Sequence, residues 1–279
     1  MNNGTATPPQ VECGSRDRRS HPSGAALFEQ VFTFERRRPV VVSQGTGSTS
    51  RAVDEALELA GISADGLIRK REDLPSNAAS LHQAILRSFA EQGGPPSLET
   101  VNAAAAALGT DAKAALEALA SGDLIVRDQA TGEIKGAYPF SGKPTRHRVQ
   151  VHDGRPVYAM CAVDALGIPF MLDRDAQITS EDPVTGQQIR VEVRRGQARW
   201  DPSGAVLFFG SQGGEGPLAQ TCCSVTNFFP STEAVEEYQR THPEVGGRVL
   251  SQAEAVQAAQ RLFGNLLINS DQPAPDCAC

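Results

Sequence analysis

The stretch RVQVHDGRPVYAMCAVDALGIPFML, residues 148–172, decides the fold of this chain. RVQV alternates polar with apolar residues, and PVYAM combines β-branched and aromatic residues, so both favour strands, while HDGR between them is rich in turn residues. From Met160 onward the chain becomes almost continuously apolar, which is typical of a buried segment. We therefore expect two strands separated by a turn and followed by a buried helix that starts near Cys161.

A helix that starts at CAVDALG brings Cys161 and Asp164 onto one face, one turn apart. A free thiol has a pKa of about 8.5 and is mostly protonated at neutral pH, so a nearby base assists its chemistry. Apolar surroundings raise the pKa of a carboxyl, which lets it hold and return that proton. From the spacing alone, a buried structural cysteine beside a helix-start aspartate is the favoured interpretation.

A second pair of thiols occurs in QTCCSVTNFF, residues 220–229. The run is β-like, and neighbouring side chains on a strand point to opposite faces, so only one of Cys222 and Cys223 can face the same site as Cys161. Two thiolates and one carboxylate in apolar surroundings suit a soft, large cation such as mercury better than zinc, which usually takes four ligands. A Cys-His protease arrangement is disfavoured because the nearby histidines precede Cys161 on a strand.

The region around these motifs predicts an α+β core over residues 145–268. Further strands are indicated by QQIRVEVR and AVLFFG, and two closing helices by STEAVEEYQRTH and SQAEAVQAAQRLFGNLL. The last helix begins with Ser251 followed three residues later by Glu254, which is the pattern of a capping box.

Residues 80–144 predict a winged-helix-like module of three short helices and a strand pair. The predicted helices are SLHQAILRSFAEQ, SLETVNAAAAAL with a Ser97 cap, and TDAKAALEALASG, and the predicted strands lie in DLIVRD and IKGAYPF. Residues 81–140 carry four Lys and Arg against seven Asp and Glu, and Lys113 is the only basic residue of the third helix. This balance disfavours DNA binding and favours a structural use of the module.

The ends of the chain differ in composition from the centre. Residues 1–24 are predicted to be disordered, and residues 25–79 form an extension of unknown role with strands QVFTF and PVVVSQ and a helix in STSRAVDEALELAG. Its glycine loop SQGTGSTS lacks the lysine of a phosphate-binding loop, which favours a plain turn. The tail, residues 269–279, is predicted to be flexible and contains Cys277 and Cys279.

Composition excludes several classes of partner. The chain has 279 residues, 40% of them hydrophobic, and a net charge of -7, which argues against nucleic acid and anionic lipid as partners. The N-terminal MNNGTATPPQ does not resemble a secretory signal, and no apolar run is long enough to span a membrane. We therefore expect a cytoplasmic protein, in which the six cysteines stay reduced.

The two thiol motifs, in this order and at this separation, resemble the bacterial organomercurial (alkylmercury) lyases over about residues 80–268. The residues that carry the resemblance are Tyr158, Cys161 and Asp164 in the first motif and Cys222, Cys223, Phe228 and Phe229 in the second. The resemblance implies protonolysis of a carbon–mercury bond to a hydrocarbon and Hg(II). It implies Cys161 and Cys222 as the mercury-binding thiolates and Asp164 as the proton shuttle, which also contacts the Hg(II) product.

The resemblance also implies partners, and the chain departs from the family pattern at one place. The substrate is an organomercurial, no cofactor is needed, and cellular thiols and a mercuric reductase are the expected partners. Cys277 and Cys279 either pass Hg(II) to that reductase or have no such role. Family members commonly carry a structural cysteine where this chain has ITSEDPVTG, with Asp182 near that place, and we expect its absence to affect stability more than chemistry.

The alternative function is a non-catalytic protein that binds or senses a soft metal with the same thiols. Both functions need Cys161 and Cys222, whereas only the enzyme needs Asp164. A winged-helix regulator is a third alternative, which the acidic balance of the module disfavours.

Overall fold

The structure is a computed structural model that describes Met1 and residues 51–267, apart from residues 64–66, 68–69 and 72. The described part is a mixed α+β fold, as predicted. Its helices are α1 (Arg51–Leu59), α2 (Ser76–Gln92), α3 (Leu98–Ala107), α4 (Ala112–Ser121), α5 (Ala162–Leu172), α6 (Leu218–Thr221), α7 (Thr232–Thr241) and α8 (Gln252–Phe263). Its strands are β1 (Ile125–Arg127), β2 (Ile134–Ala137), β3 (Phe140–Ser141), β4 (Arg148–Val151), β5 (Pro156–Ala159), β6 (Ala176–Glu181), β7 (Gln188–Arg194), β8 (Gln197–Asp201), β9 (Val206–Ser211), β10 (Asn227–Phe229) and β11 (Gly246–Leu250).

The strand–turn–strand–helix unit predicted from residues 148–172 is confirmed. β4 and β5 pair antiparallel, with Val149 opposite Val157, and both side chains are buried. α5 then begins at Ala162. Most residues of α5 are buried, because a helix that is apolar on all sides is stable only where other parts of the protein pack around it. Gly167 allows the ring of Phe263 in α8 to pack directly on the α5 backbone.

β4 and β5 lie inside an eight-stranded sheet of order β1-β2-β3-β5-β4-β6-β7-β8, in which every pairing is antiparallel. β7 corresponds to a predicted strand, whereas β6 and β8 were not predicted. β6 presents Ala176, Ile178 and Ser180 to the buried face, so its apolar signal is weak. In the turn after β6, Asp182 accepts a hydrogen bond from the Thr185 backbone over 2.9 Å.

The described residues of the predicted winged-helix-like module form α2, α3, α4 and the hairpin β1–β2. Ser97 caps α3 by accepting from the Thr100 N–H over 3.1 Å, as predicted. α2 starts at Ser76, earlier than predicted. The hairpin is not a free-standing wing, because β2 pairs with β3 and β3 with β5 in the large sheet. The boundary at residue 144 stays a prediction.

A second sheet, of order β10-β9-β11, contains the strand predicted from AVLFFG. The predicted helices at the end of the core are confirmed as α7 and α8, and Ser251 with Glu254 forms the capping box. The β-like run predicted over residues 220–229 is wrong for its first part. Residues 222–225 form a turn after α6, and only β10 is a strand.

α1 lies within the segment predicted as a helix in the N-terminal extension. Its Asp54 pairs with Arg261 of α8 at 2.6 Å, and its Glu55 pairs with Arg248 of β11 at 2.9 Å. The predictions for residues 2–50, including both early strands and the glycine loop, and for the tail with Cys277 and Cys279 lie outside the described residues. None of the described helices has the length and apolar character needed to cross a membrane.

Candidate active site

Cys161 and Asp164 meet at the start of α5. Cys161 immediately precedes the helix and Asp164 lies in its first turn. The Cys161 Sγ donates a hydrogen bond to the Asp164 Oδ2 over 2.7 Å. The two residues are only 1% and 2% exposed. The structure therefore brings this predicted pair together, because a spacing of three at a helix start places both side chains on one face.

The Asp164 carboxyl has a perturbed acidity. Burial raises its pKa from 3.8 to about 7, because a carboxylate loses its hydration among apolar groups. Hydrogen bonds from the Cys161 side chain, the Cys223 side chain and the Cys161 backbone act in the opposite direction, and burial outweighs them. Near pH 7 this carboxyl exists in both protonation states, so it can accept a proton and return it.

The second thiol in the cluster is that of Cys223. Its Sγ lies 3.7 Å from the Asp164 Oδ2. One ligand atom from each of Cys161, Asp164 and Cys223 lies within 4.8 Å of the other two, and this group can hold a metal ion. The thiols of Cys161 and Cys223 thus converge on the Asp164 carboxyl.

Cys222, the residue predicted from the sequence, does not join the Asp164 cluster. Its Sγ is 3.5 Å from the Thr226 Oγ1, and it lines the same cavity as the cluster. The prediction relied on a strand, in which neighbouring side chains alternate between faces. A turn after a helix directs side chains differently, so the alternation does not apply and Cys223 reaches Asp164 instead.

The thiols of the site are held in the protonated form. Burial raises the pKa of Cys161 well above 9.0, and the hydrogen bond with Cys223 adds to this. The hydrogen bond to Cys161 lowers the pKa of Cys223, but burial and the Asp164 charge raise it to about 12. Burial, and then the Cys161 charge, raise the pKa of Cys222. Thiolates can form here only where a base removes the proton or a cation replaces it.

Thr226 joins the two segments that carry the thiols. Its backbone oxygen accepts from the Ala162 N–H over 3.2 Å, at the first residue of α5. Its Oγ1 accepts from the Gly210 N–H over 3.0 Å, which ties it to β9. The start of α5 and the turn after α6 are therefore held together by hydrogen bonds as well as by packing. No pattern in the sequence pointed to Thr226.

The cluster opens onto a small apolar cavity. Its walls include Val163, Phe209, Leu218 and Leu262. The cavity volume is about 20 Å³, which is room for about one water molecule.

Part of the cavity wall comes from the N-terminal extension. Ile62 and Leu67 follow α1 in the sequence and contact the cavity, and Leu67 is 3% exposed. No motif in the sequence indicates a role for the extension. The structure shows that the described part of the extension covers the site.

Sulfur ligands select soft cations, and a carboxyl with a pKa near neutrality can transfer protons. The site therefore brings together the groups that suit a soft metal and the transfer of a proton.

Comparison with known proteins finds relatives of one kind. The family model described as alkylmercury lyase matches residues 140–264. The alkylmercury lyase of Staphylococcus epidermidis is 29% identical over 165 residues, which are 59% of this chain and 73% of that protein. The alkylmercury lyase of Bacillus cereus is 34% identical over 137 residues, which are 49% of this chain and 61% of that protein. These matches make the chain similar to alkylmercury lyases over its C-terminal part.

A solved structure supports the fold. The crystal structure of the mercury-bound form of MerB2 has a TM-score of 0.61 to this chain, at 24% sequence identity, and the match covers 77% of this chain and 98% of that one. The sequence matches to the two relatives span 73% and 61% of their length.

Proposed function

We propose that this chain cleaves the carbon–mercury bond of organomercurials by protonolysis, with Cys161 and Asp164 as its central pair. The observation that carries the proposal is the buried contact of 2.7 Å between the Cys161 Sγ and the Asp164 Oδ2, with the Cys223 Sγ 3.7 Å from the same oxygen. Protonolysis needs a thiolate to bind mercury and an acid beside the carbon, and these groups supply both.

The first step exchanges a ligand on mercury. The substrate arrives as R–Hg–SR′, the adduct of an organomercurial with a small cellular thiol. The Cys161 sulfur bonds to mercury while its proton passes to the Asp164 carboxylate. The Hg–SR′ bond breaks, and Asp164 protonates the departing thiolate. The products are R–Hg–S–Cys161 and R′SH, and mercury remains divalent.

The second step breaks the carbon–mercury bond. A second thiol of the site bonds to mercury and transfers its proton to Asp164. The electron pair of the carbon–mercury bond leaves with the carbon, which takes the proton from Asp164. The products are the hydrocarbon RH and Hg(II) held by two cysteine thiolates, and Asp164 is again a carboxylate. Every group that the reaction needs is a side chain, so we propose that no cofactor takes part.

The second thiol comes from the Cys222–Cys223 pair. The resemblance to the family implies Cys222, whereas the contact with Asp164 favours Cys223, whose proton has a direct path to the carboxyl. We propose Cys223 as the second ligand. Cys222, whose sulfur faces Thr226, lines the same cavity within the site.

The apolar walls have two roles in this mechanism. They accept the alkyl or aryl group, and they exclude water, which keeps Asp164 protonatable. Ile62 and Leu67 form part of these walls.

We propose a structural role for residues 80–144 as a winged-helix-like module. A cytoplasmic location and delivery of Hg(II) to a mercuric reductase also remain proposals, and they rest on the resemblance.

The test is hydrocarbon release. The full chain is incubated with phenylmercury and excess small thiol, and benzene is measured by gas chromatography against the thiol alone. We expect benzene above the control and one Hg(II) retained per chain. Retention of mercury without benzene would assign the non-catalytic binding function instead.

A further inference from the structure

The turn that carries both adjacent cysteines follows a helix of only four residues, α6. So short a helix has little stability of its own, and the first N–H groups of any helix have no partner within it. The residue before α6 is Pro217, which provides no side-chain cap. Partners for these N–H groups must therefore come from elsewhere in the chain.

Two distant residues supply those partners. The Leu218 N–H donates to the Asp123 Oδ2 over 3.0 Å, and the Ala219 N–H donates to the Tyr138 hydroxyl over 2.7 Å. Asp123 follows α4, and Tyr138 lies between β2 and β3. The start of α6 is thus capped by side chains from 95 and 81 residues earlier in the sequence.

The two capping side chains are also joined to each other. The Tyr138 hydroxyl donates to the Asp123 Oδ1 over 3.3 Å, and Lys70 lies 3.5 Å from the Asp123 Oδ2. Burial, and then the charges of Cys223, Asp123 and Asp164, raise the pKa of Tyr138, so its hydroxyl keeps the proton that it donates. Tyr138 is 2% exposed and lines the active-site cavity.

We infer that Asp123 and Tyr138 are positioning residues for the second mercury-binding thiol. They hold the start of α6 and thereby set the distance from the turn at residues 222–225 to Asp164. The inference rests on the proposed function and applies whichever of the two adjacent cysteines binds mercury, because both follow α6. Neither Asp123 nor the Tyr138 hydroxyl is needed for a proton step, since both are occupied by the cap.

The reaction is sensitive to this distance. Mercury must bond to Cys161 and to the second thiol at once, and a displacement of about 1 Å in a reacting group costs on the order of 100-fold in rate. Without the hydroxyl, the half-buried Ala219 N–H loses its partner, and α6 must shift or fray to find another.

The test compares Tyr138→Phe with Tyr238→Phe as a matched control. Tyr238 packs in a separate apolar cluster with Phe208 and Phe229, and among the described residues the partners of the first α6 N–H groups are Asp123 and Tyr138, so its variant removes a hydroxyl that does not cap α6. For both variants and the parent chain, kcat and KM for phenylmercury are measured. X-ray absorption of the Hg(II)-loaded chain counts the sulfur ligands, and the concentration of dithiothreitol that removes half of the Hg(II) is determined.

We expect Tyr138→Phe to lower kcat by about 10- to 100-fold, and dithiothreitol to remove Hg(II) at an at least about 10-fold lower concentration. Without added thiol, the number of protein sulfurs on mercury should fall from two to one. Asp123→Asn should act in the same direction, and the double variant should be less impaired than the product of the single effects, because both residues act through α6. Tyr238→Phe should match the parent chain in all measurements.

Several outcomes would overturn the inference. Parental kcat together with parental dithiothreitol sensitivity in Tyr138→Phe would show that the cap does not position the thiol. A changed pH profile with unchanged mercury retention would give Tyr138 a proton-transfer role instead. If circular dichroism shows that Tyr138→Phe does not fold, the same measurements on Asp123→Asn test the inference. If the parent chain releases no benzene, the proposed function fails, but a difference in mercury retention between the two Phe variants still supports the positioning role.

Discussion

Replacement of Asp164 by Asn separates the enzyme from a mercury-binding protein. The two side chains are nearly isosteric, and the amide oxygen can still accept the hydrogen bond from Cys161. The amide cannot take up a proton at neutral pH, so the thiol proton has no path to the carbon. We expect hydrocarbon release to fall by at least about 100-fold, or about 2.7 kcal/mol in activation free energy. Hg(II) should still bind through two thiols.

The same variant also tests whether burial raises the pKa of the Asp164 carboxyl, through the pH dependence of the free energy of unfolding. Asp164 has a pKa of about 7 in the folded chain and 3.8 ordinarily. Between these values the folded chain keeps a proton that the unfolded chain releases, so the free energy of unfolding falls as pH rises from about 4 to about 7. About three pH units at about 1.36 kcal/mol each give a loss of up to about 4 kcal/mol. Asn removes this loss, so the variant should be more stable than the parent chain at pH 8.

The assays are gas chromatography of benzene from phenylmercury and urea unfolding at pH 5 and pH 8. Asp153→Asn is the matched control, because the Asp153 side chain is 78% exposed in the turn between β4 and β5. The control should change neither the rate nor the pH dependence of stability. Parental rates in Asp164→Asn would refute the proton-shuttle mechanism even within the same family. An Asn variant less stable than the parent chain at pH 8 would refute the burial argument.

Three further predictions concern single positions. Cys223→Ser should abolish turnover, while Cys222→Ser should retain it, as measured by benzene release; the opposite result would assign the second ligand to Cys222 and show that the turn rearranges on substrate binding. Gly167→Ala should destabilise the chain by about 1–3 kcal/mol in urea unfolding, because the added Cβ would lie 2.1 Å from the Phe263 ring, and an unchanged midpoint would contradict this packing. Ser251→Ala should cost about 1 kcal/mol through loss of the helix cap, with no effect on the rate of the folded enzyme.

Features that depend on neighbours in the sequence could be predicted from it. The pairing of Cys161 with Asp164 follows from a spacing of three at a helix start, and the apolar run around them predicts both the burial of α5 and the raised pKa of the carboxyl. The caps at Ser97 and at Ser251 are equally local, since each involves backbone groups within three residues. Local geometry alone determines these contacts, whatever the rest of the fold.

The choice between Cys222 and Cys223 could not be predicted in this way. The run around them has the composition of a strand, but in the structure a turn follows α6 there, and Asp123 and Tyr138 accept hydrogen bonds from the Leu218 and Ala219 N–H groups at the start of α6. The strand propensity of a short segment has a weak effect compared with hydrogen bonds from other parts of the chain. The direction of each thiol was therefore decided by tertiary contacts.

The order of the strands and the closure of the site also depend on tertiary structure. The sequence of the hairpin β1–β2 predicts a separate wing. In the structure β3 joins this hairpin to the large sheet, because an exposed strand edge carries unpaired N–H and C=O groups that pair with another strand. Ile62 and Leu67 carry no motif, and their role as cavity wall arises only from where the chain places them. The sequence by itself determined the chemical pair at Cys161 and Asp164, whereas the tertiary structure decided which groups surround it, since those groups are distant in the chain and meet only through packing.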